Sequence, residues 1–250
     1  MNNNQNKKNS TKSWKRYFIE FLMLFFAVFL GFFADNLRDT FSENKKENGY
    51  ITSLIEDVKI DKINIQKAIQ MNEMRKGKLD TLSNLCYNYN FKTSNVRELY
   101  KYFNIITLRP DFLTPNELTM LQLKNAGGMR LIRNKEVARE ILKYDLQDKK
   151  LVNQQRYYEN YQNKTISLGL KIFSLHPFQI IESTYKKTGK VELDSIKFDL
   201  IQNDKLLLTE FANVTNMYGG IVNYYNILLK ETDKQADSLI MKLKKEYKIE

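Results

Sequence analysis

The fold of this chain is decided by residues 17–34, YFIEFLMLFFAVFLGFFA, its one long apolar run. As a helix, these 18 residues measure about 27 Å at a rise of about 1.5 Å each, close to the thickness of the hydrocarbon core of a bilayer. Trp14 and Tyr17 lie where an interfacial aromatic belt is expected. Glu20 falls in the first turn, where Arg16 can pair with it. Headgroup water near this edge lowers the free-energy cost of placing its charge in the membrane. The run therefore predicts one transmembrane helix.

Two other interpretations of this run fit less well. A cleaved signal peptide would share the basic start and the apolar centre, but Phe32 occupies the position three residues before a cut after Ala34, where a small residue is needed. A core helix of a soluble protein would need protein on every side, because seven phenylalanines within 16 residues point in all directions. We therefore expect an uncleaved span.

Basic residues close to the span predict its orientation. Five of them precede the span, and three follow it within 16 residues: Lys7, Lys8, Lys12, Lys15 and Arg16 before, and Arg38, Lys45 and Lys46 after. Because the cytoplasmic flank of a span carries the excess of Lys and Arg, we expect a disordered basic cytoplasmic tail over residues 1–16, the span over 17–34 and a domain outside the cytoplasm over 35–250.

The span also contains a candidate surface for helix–helix contact. Ala27 and Gly31 form a small-xxx-small pair, a spacing that lets the backbones of two membrane helices approach closely. We list Trp14, Tyr17, Glu20, Ala27 and Gly31 as the anchor residues, with the last two as the candidate contact.

Composition favours a helical domain after the span. Only three prolines and nine glycines occur in 250 residues, so helix breakers and turn formers are scarce. The hydrophobic fraction of 42% is enough to form a core. The formal charge of +11 is basic, but the lysines alternate with acids and no nucleic-acid-reading motif accompanies them, so nucleic acid is not an expected partner.

Helical periodicity begins at Tyr50 and continues towards Cys86, so the span and the first helix of the domain could form one continuous helix. The apolar stripe is wider than a coiled-coil seam and is interrupted by Asp61, Asn72 and Arg75, which suits a helix in a bundle better than a free coiled coil. Cys86, the one cysteine, lies beside leucines and is expected to be a buried apolar residue.

Capping signals divide the following residues into helices. Asn95 with Glu98 predicts a helix to about Ile106, and Thr114-Pro115-Asn116-Glu117 predicts another that ends at Gly127-Gly128. Asn134 can cap a long helix over about 135–173, which His176-Pro177 is expected to end. Its apolar stripe contains Val137, Ile141, Tyr144, Leu151, Tyr158, Thr165 and Ile172. Residues 178–202 predict either a short strand pair or an extended loop.

The final helix has the clearest pattern, a four-three spacing of apolar residues from Leu207 to Leu243. Gly219 and Gly220 interrupt it at about 1 kcal/mol each against Ala, which tight packing against another helix would explain and a kink would explain equally. The prediction is an all-α protein: one N-terminal transmembrane helix followed by an antiparallel bundle of long helices.

Signs of catalytic chemistry are missing from the sequence. The single histidine, His176, and the single cysteine exclude metal sites built from His and Cys. No glycine-rich phosphate loop is present, because Gly127-Gly128 has no Lys-Ser/Thr after it. We therefore expect a protein that is not an enzyme and that needs no cofactor or metal.

Three segments resemble a family of bacterial single-span membrane proteins whose function is uncharacterised. They are YFIEFLMLFFAVFLGFFADNLRD at 17–39, LIEDVKID at 54–61 and LTMLQLKNAGGMRLIRNKEVAREILKYD at 118–145, about a quarter of the chain. The resemblance implies a short cytoplasmic tail, one span of the bacterial cytoplasmic (inner) membrane and a helical domain in the periplasm. It implies no catalytic residues.

These observations favour a membrane-anchored, non-enzymatic interaction or scaffold protein whose partners are the lipid bilayer and either another protein or further copies of itself. Long helices and tyrosine-rich seams, with Tyr157, Tyr158, Tyr161, Tyr224 and Tyr225, support this hypothesis. The alternative is a ligand-sensing extracytoplasmic domain. Because the 16-residue tail has no room for a signalling domain, such a sensor would work with a separate signalling partner.

Overall fold

The computed structural model describes residues 6–108, 110, 112–125 and 127–249, with side chains from Trp14 onward. Within these ranges the chain forms α-helices joined by short connections and contains no β-strand. The helices are α1 (Asn6–Tyr87), α2 (Val96–Thr107), α3 (Leu118–Asn125), α4 (Lys135–Ile172), α5 (His176–Thr188) and α6 (Lys205–Tyr247), with 3₁₀ turns at Gly128–Arg130 and Leu193–Ser195. The predicted all-α class is confirmed.

Helix α1 is continuous over 82 residues, or about 120 Å at about 1.5 Å per residue. The prediction that the span continues into the first helix of the domain is confirmed. The tail differs from its prediction, because residues 6–16 are helical rather than disordered, while residues 1–5 lie outside the described part. Once the apolar run is helical, each residue added before it gains a hydrogen bond without a new nucleation cost.

The bundle consists of four helical segments that pack side by side and alternate in direction. We call them legs: α1, then α2 with α3, then α4, then α6. Helix α6 runs antiparallel to α1, since Tyr247 contacts Glu47 near the start of the bundle while Asn213 contacts Tyr87 at the other end. Helix α4 runs parallel to α1 and diagonally across from it, and the second leg is built from α2 and α3. We call the end near Glu47 the anchor end and the end near Tyr87 the far end.

Two apolar cores fill the bundle, one towards each end. The anchor-end core joins α1, α3, α4 and α6 through Ile51, Leu54, Ile55, Val58, Met120, Leu123, Ile132, Val137, Ile141, Tyr144, Ala236, Leu239 and Leu243. The far-end core is larger and rich in aromatic residues, among them Tyr100, Phe103, Tyr158, Phe173, Phe211, Tyr218 and Tyr225. The stripes predicted on α1, α4 and α6 supply most of both cores.

Local signals set most of the helix ends as predicted. The side chain of Asn95 accepts a hydrogen bond from the Arg97 N–H, and that of Asn134 accepts from Glu136 and Val137. Gly127 has φ of +70°, a left-handed conformation that glycine adopts without steric cost, so α3 stops where predicted. Asp204 caps α6 in the same way as the asparagines, a cap that the sequence interpretation missed.

The predicted start of α3 is wrong. Thr114 and Pro115 are not helical, and α3 begins at Leu118 instead. The N–H groups at the start of α3 find their hydrogen-bond acceptors on α1 rather than at Thr114. The Asp57 carboxylate accepts from the Thr119 N–H at 3.1 Å, and the Asp61 carboxylate accepts from the Asn116 N–H at 2.8 Å. A carboxylate at a helix N-terminus also interacts favourably with the helix dipole.

The predicted strand pair over 178–202 is also wrong. Residues 176–188 form α5, and Pro177 lies in its first turn, where a missing N–H costs nothing. Helix α4 ends at Ile172, as predicted to within one residue, and the next residue forms a single antiparallel bridge between Phe173 and Leu200. His176-Pro177 therefore begins a helix rather than ending one. Only the extended alternative survives, for the part of this segment after α5.

Candidate functional site

The apolar run is exposed along its whole length. Helix α1 has one window near the N-terminus with a mean hydropathy of 2.2, and none of that window is buried. A core helix of a soluble protein would instead be covered by the rest of the chain. Among the residues described, one helix is therefore long and apolar enough to span a membrane.

The predicted anchor residues all lie on the exposed part of α1. Arg16 donates a hydrogen bond from Nε to Oε1 of Glu20 at 3.1 Å, which confirms the predicted pair. Trp14 and Tyr17 are 73% and 66% exposed, as residues that contact an interface would be in an isolated chain. Around Gly31 nothing approaches within 4 Å of the place where a Cβ would be, so its contact surface is open.

The span has two chemically different faces. Phe21, Phe25, Phe29 and Phe33 stack in sequence, with ring centroids 6.2 to 6.3 Å apart, and form a ladder along one side. At about 100° per residue, Ala27, Gly31 and Ala34 all lie on the opposite side. One side is therefore bulky and aromatic, and the other presents small residues.

The two glycines predicted to mark helix packing behave differently. Gly219 is buried, and a Cβ there would lie 3.5 to 3.7 Å from atoms of Lys76, Leu79 and Asp80 on α1, which is ordinary van der Waals contact. Gly220 faces open space. The close approach that requires glycine is at Gly169 of α4, where a Cβ would lie 2.3 Å from the Phe103 ring. The sequence pattern of α4 does not indicate this close approach at Gly169.

A polar layer separates the two apolar cores. Its members are Asp57 and Asp61 of α1, Asn116, and Tyr144 and Asp148 of α4. The Tyr144 hydroxyl donates to Oδ2 of Asp61 at 2.9 Å, while Nδ2 of Asn116 donates to Oδ1 of Asp57 at 2.8 Å. Burial is the main cause that raises the pKa of Asp61, and the hydrogen bonds that Asp61 accepts from the Asn116 backbone N–H and the Tyr144 hydroxyl oppose it. The layer joins three legs of the bundle.

Asp148 is the least satisfied member of the polar layer. It is 8% exposed, and its Oδ1 has no hydrogen-bond partner. Burial, followed by the nearby charges of Asp61 and Asp145, raises its pKa to about 8. The sequence interpretation missed Asp148, although it lies between Tyr144 and Leu151 on the stripe predicted to face the core.

The residues that interrupt the predicted stripe of α1 form specific contacts across the bundle. Arg75 donates to the carbonyl oxygens of Ile105 and Leu108, at the end of α2, at 2.8 and 3.1 Å. Gln162 of α4 donates to Leu108 O at 2.8 Å, and the Tyr158 hydroxyl donates to Asn72 at 3.0 Å. These bonds satisfy helix-end carbonyls inside the protein, so the interruptions serve the fold.

An open groove lies at the far end, between α2, α5 and the chain before α6. Its volume is about 310 Å³, and its walls include Arg97, Tyr100, Tyr102, Phe178 and Phe198. The Arg97 guanidinium lies 5.4 Å from the centre of the Phe198 ring and forms an ion pair with Asp194 at 2.5 Å. Aromatic walls with one or two polar groups are typical of small-ligand sites.

Among the residues described, no cluster of three or more His, Cys, Asp or Glu side chains is placed to hold a metal ion. Cys86 is fully buried, and burial raises the pKa of its thiol to about 12, so it is an apolar core residue as predicted. Of the five tyrosines singled out, Tyr158 and Tyr225 are in the core, and Tyr157 and Tyr224 are exposed.

No protein-family model, no curated protein and no solved structure matches this chain.

Proposed function

We propose that this protein is a membrane-anchored, non-enzymatic interaction module that presents a helical bundle at a set distance from the lipid. The observation that carries the proposal is the continuity of α1, which runs from the apolar run to the far end of the bundle without a break. Because the bundle is built on the same helix as the anchor, the anchor also sets the orientation of the bundle. A flexible linker would leave it free to rotate.

The stalk between anchor and bundle supports this proposal. Residues 35–46 of α1 are largely exposed and helical, and Glu47 is the first buried residue. Twelve helical residues span about 18 Å, which separates the bundle from the headgroups. Such a spacer is useful to a protein whose partner also stands away from the membrane.

We place the N-terminus in the cytoplasm and the bundle in the periplasm of a bacterial inner membrane. The five basic residues before the apolar run, against three after it, support that orientation. The resemblance of 17–39, 54–61 and 118–145 to bacterial single-span proteins supports the compartment. This resemblance remains part of the proposal.

Protease treatment of intact and lysed spheroplasts tests the orientation. The full chain with an N-terminal epitope tag should lose the bundle in intact spheroplasts and keep a tagged fragment of tail and span. A cytoplasmic control protein must survive in the same sample. Full protection of the bundle until lysis would place it in the cytoplasm and overturn the topology.

Site-specific photocrosslinking tests the interaction role. A photoreactive phenylalanine derivative replaces Tyr157 or Tyr224, which are 62% and 51% exposed on α4 and α6. The same derivative at Trp14 is the control, because it lies next to lipid rather than on the bundle. An adduct of defined mass from the bundle positions supports the proposal. Monomer alone at both positions, from membranes in which the chain is abundant, would count against it.

The far-end groove favours a second candidate, a ligand-sensing domain that works with a separate signalling partner. Aromatic walls and the nearby cations Arg97 and Lys101 suit a small aromatic carboxylate. Benzoate is a suitable probe and benzamide its neutral control. A rise in the melting temperature with benzoate that Phe198→Ala abolishes would support sensing, and no rise at millimolar benzoate would remove this candidate's main support.

A further inference from the structure

Apolar side chains remain exposed on α1 beyond the end of the span. Leu37 and Phe41 lie three and seven residues after Ala34, and they are 56% and 74% exposed. In the described residues the stalk over 35–46 packs against no other helix along this side. Large apolar side chains that face water in register on one helix mark a contact surface.

These two residues continue a regular pattern from within the span. Successive steps of four and three residues connect Arg16, Glu20, Met23, Ala27, Leu30, Ala34, Leu37 and Phe41. Such a four-three spacing places all eight on one side of a helix. We call this side the seam face. The small residues Ala27 and Ala34 belong to it, Gly31 lies beside it, and the phenylalanine ladder is on the other side.

The seam face also contains the only charge within the span. Glu20 lies at its cytoplasmic end and pairs with Arg16 at 3.1 Å, with side chains that are 50% and 80% exposed. Charged residues in membrane segments almost always face protein or water rather than lipid tails. Two copies of this pair facing each other would form a neutral set of four charges, so the seam face is complementary to itself in charge.

The position of the bundle leaves the seam face accessible. At about 100° per residue, the same side of α1 continues past Phe41 through Lys45, Asn48 and Thr52, which are exposed and polar. The residues that enter the anchor-end core, such as Ile51 and Leu54, lie about a third of a turn away at about 100° per residue. The apolar part of the seam therefore ends where the bundle begins, and two bundles could stand side by side without covering it.

We propose that two copies of this chain form a parallel dimer along the seam face, from Arg16 to Phe41. The proposal rests on the proposed anchoring, because a shared membrane orients all copies in the same direction and makes a parallel, two-fold symmetric contact the natural one. Close approach at Ala27, Gly31 and Ala34 supplies van der Waals packing in lipid. Leu37 and Phe41 bury their apolar surface in water at the same interface.

Disulfide cross-linking on isolated membranes tests the dimer. Leu37→Cys and Phe41→Cys place thiols on the seam face, while Asn36→Cys and Asp39→Cys are matched controls on the far side of the same stalk. The wild type is the blank, because its one thiol, Cys86, is fully buried. A disulfide requires Cβ atoms about 4 Å apart, so we expect at least about fivefold more linked dimer at the seam positions than at the controls.

The same samples separate failure of the dimer from failure of the anchor. If the chain leaves the membrane pellet on alkaline washing, the anchoring proposal fails. If it stays in the pellet and all four cysteine variants cross-link equally, or none exceeds the wild-type blank, only the dimer is overturned. A linked product whose mass differs from that of two chains would also overturn it, since the seam would then bind another protein.

A pair of bulky substitutions in the Phe41→Cys chain tests the seam inside the lipid. Ala27→Phe places an aromatic ring on the seam face, and Val28→Phe places the same ring one residue along, on the side towards the lipid. Because interfaces of membrane helices require small residues, we expect Ala27→Phe to lower the yield of linked dimer about threefold or more and Val28→Phe to leave it unchanged. Equal yields from the two variants would overturn the proposal.

Discussion

Two stretches of the same helix bury their apolar side chains in different ways. In residues 17–34 of α1 the apolar side chains cover every side and almost all are exposed, whereas in residues 51–86 most of them form one stripe that the other legs cover. The polar residues of the two stretches differ as well. Glu20 pairs with Arg16, four residues away, while Asp61, Asn72 and Arg75 form hydrogen bonds with residues far along the chain. Other helices cover the second stretch, whereas the first stays exposed and is apolar enough to cross a membrane. One continuous helix therefore joins a segment that the protein covers to a segment that it leaves open.

The largest expected effect is the loss of Asp61 in the bundle. Asp61→Ala leaves the Tyr144 hydroxyl and the Asn116 N–H without their buried acceptor, and we expect a loss of about 4 kcal/mol in the free energy of unfolding, about 2 for each orphaned donor. Urea unfolding of the full chain in a mild detergent, followed by the near-ultraviolet signal of the core tyrosines, measures it. Glu56→Ala is the control, since Glu56 is exposed nearby. A change below about 0.5 kcal/mol for Asp61→Ala would show that the polar layer does not stabilise the bundle.

A charge in the first stretch should affect the membrane rather than the bundle. Phe25→Lys places a lysine near the middle of the span, and we expect insertion to become less favourable by about 3 kcal/mol. The fraction of chain that resists alkaline extraction from membranes reports this change. Phe41→Lys makes the same substitution outside the span and should leave extraction unaffected. Equal extraction of both variants would contradict the assignment of 17–34 as the lipid-covered part.

The close packing of the second stretch is tested by a pair of glycines on other helices. Gly169→Ala pushes a methyl group against the Phe103 ring, which is held among Phe173 and Phe211, so overpacking should cost about 2 kcal/mol. Gly219→Ala has room for the methyl group and should be neutral or stabilising by up to about 1 kcal/mol, because alanine favours the helix. Urea midpoints of the two variants provide the measurement. Destabilisation by Gly219→Ala alone would reverse this assignment.

The last expected effect is a dependence of stability on pH. Burial raises the pKa of Asp148 from 3.8 to about 8, so between these values the folded state binds a proton that the unfolded state releases. Stability from this group is therefore full below pH 4 and is lost as pH rises towards 8, by on the order of 1.4 kcal/mol per pH unit in that window.

Asp148→Asn isolates this contribution, because an amide does not titrate. The charged groups that influence Asp148 are Asp61 on α1, Glu117 before α3, Lys124 on α3 and Asp145 on α4, and all of them are unchanged in the variant. Between pH 5 and pH 8 the wild type should lose more stability than Asp148→Asn, measured by urea unfolding at each pH. Parallel pH curves would show that Asp148 titrates normally.

Much of the fold could be predicted because it depends on local patterns. The span is a run of apolar residues, the caps at Asn95 and Asn134 lie within three residues of the N–H groups that they satisfy, and the stripes repeat every turn. The contacts of the polar layer could be foreseen only as interruptions at Asp61, Asn72 and Arg75, since their partners are at least 30 residues away.

The errors came from the places where a distant residue replaced a local signal. Asp57 supplies the acceptor at the start of α3, so the Thr114-Pro115 signal was not used. His176-Pro177 begins α5 instead of ending α4, because α4 has already ended at the bridge between Phe173 and Leu200. Gly169 could not be recognised as a contact glycine, because the Phe103 ring that fills its space belongs to another helix.

By itself, the sequence determined that this protein is helical, that residues 17–34 are long and apolar enough to span a membrane and that α1 continues past them, because these properties follow from hydrophobicity, period and spacing along one segment. The tertiary structure alone decided where α3 and α5 begin, which buried carboxylate lacks a partner and which side of α1 the bundle leaves open. Each of those depends on distances between segments that are far apart in the chain, and such distances exist only once the legs have packed.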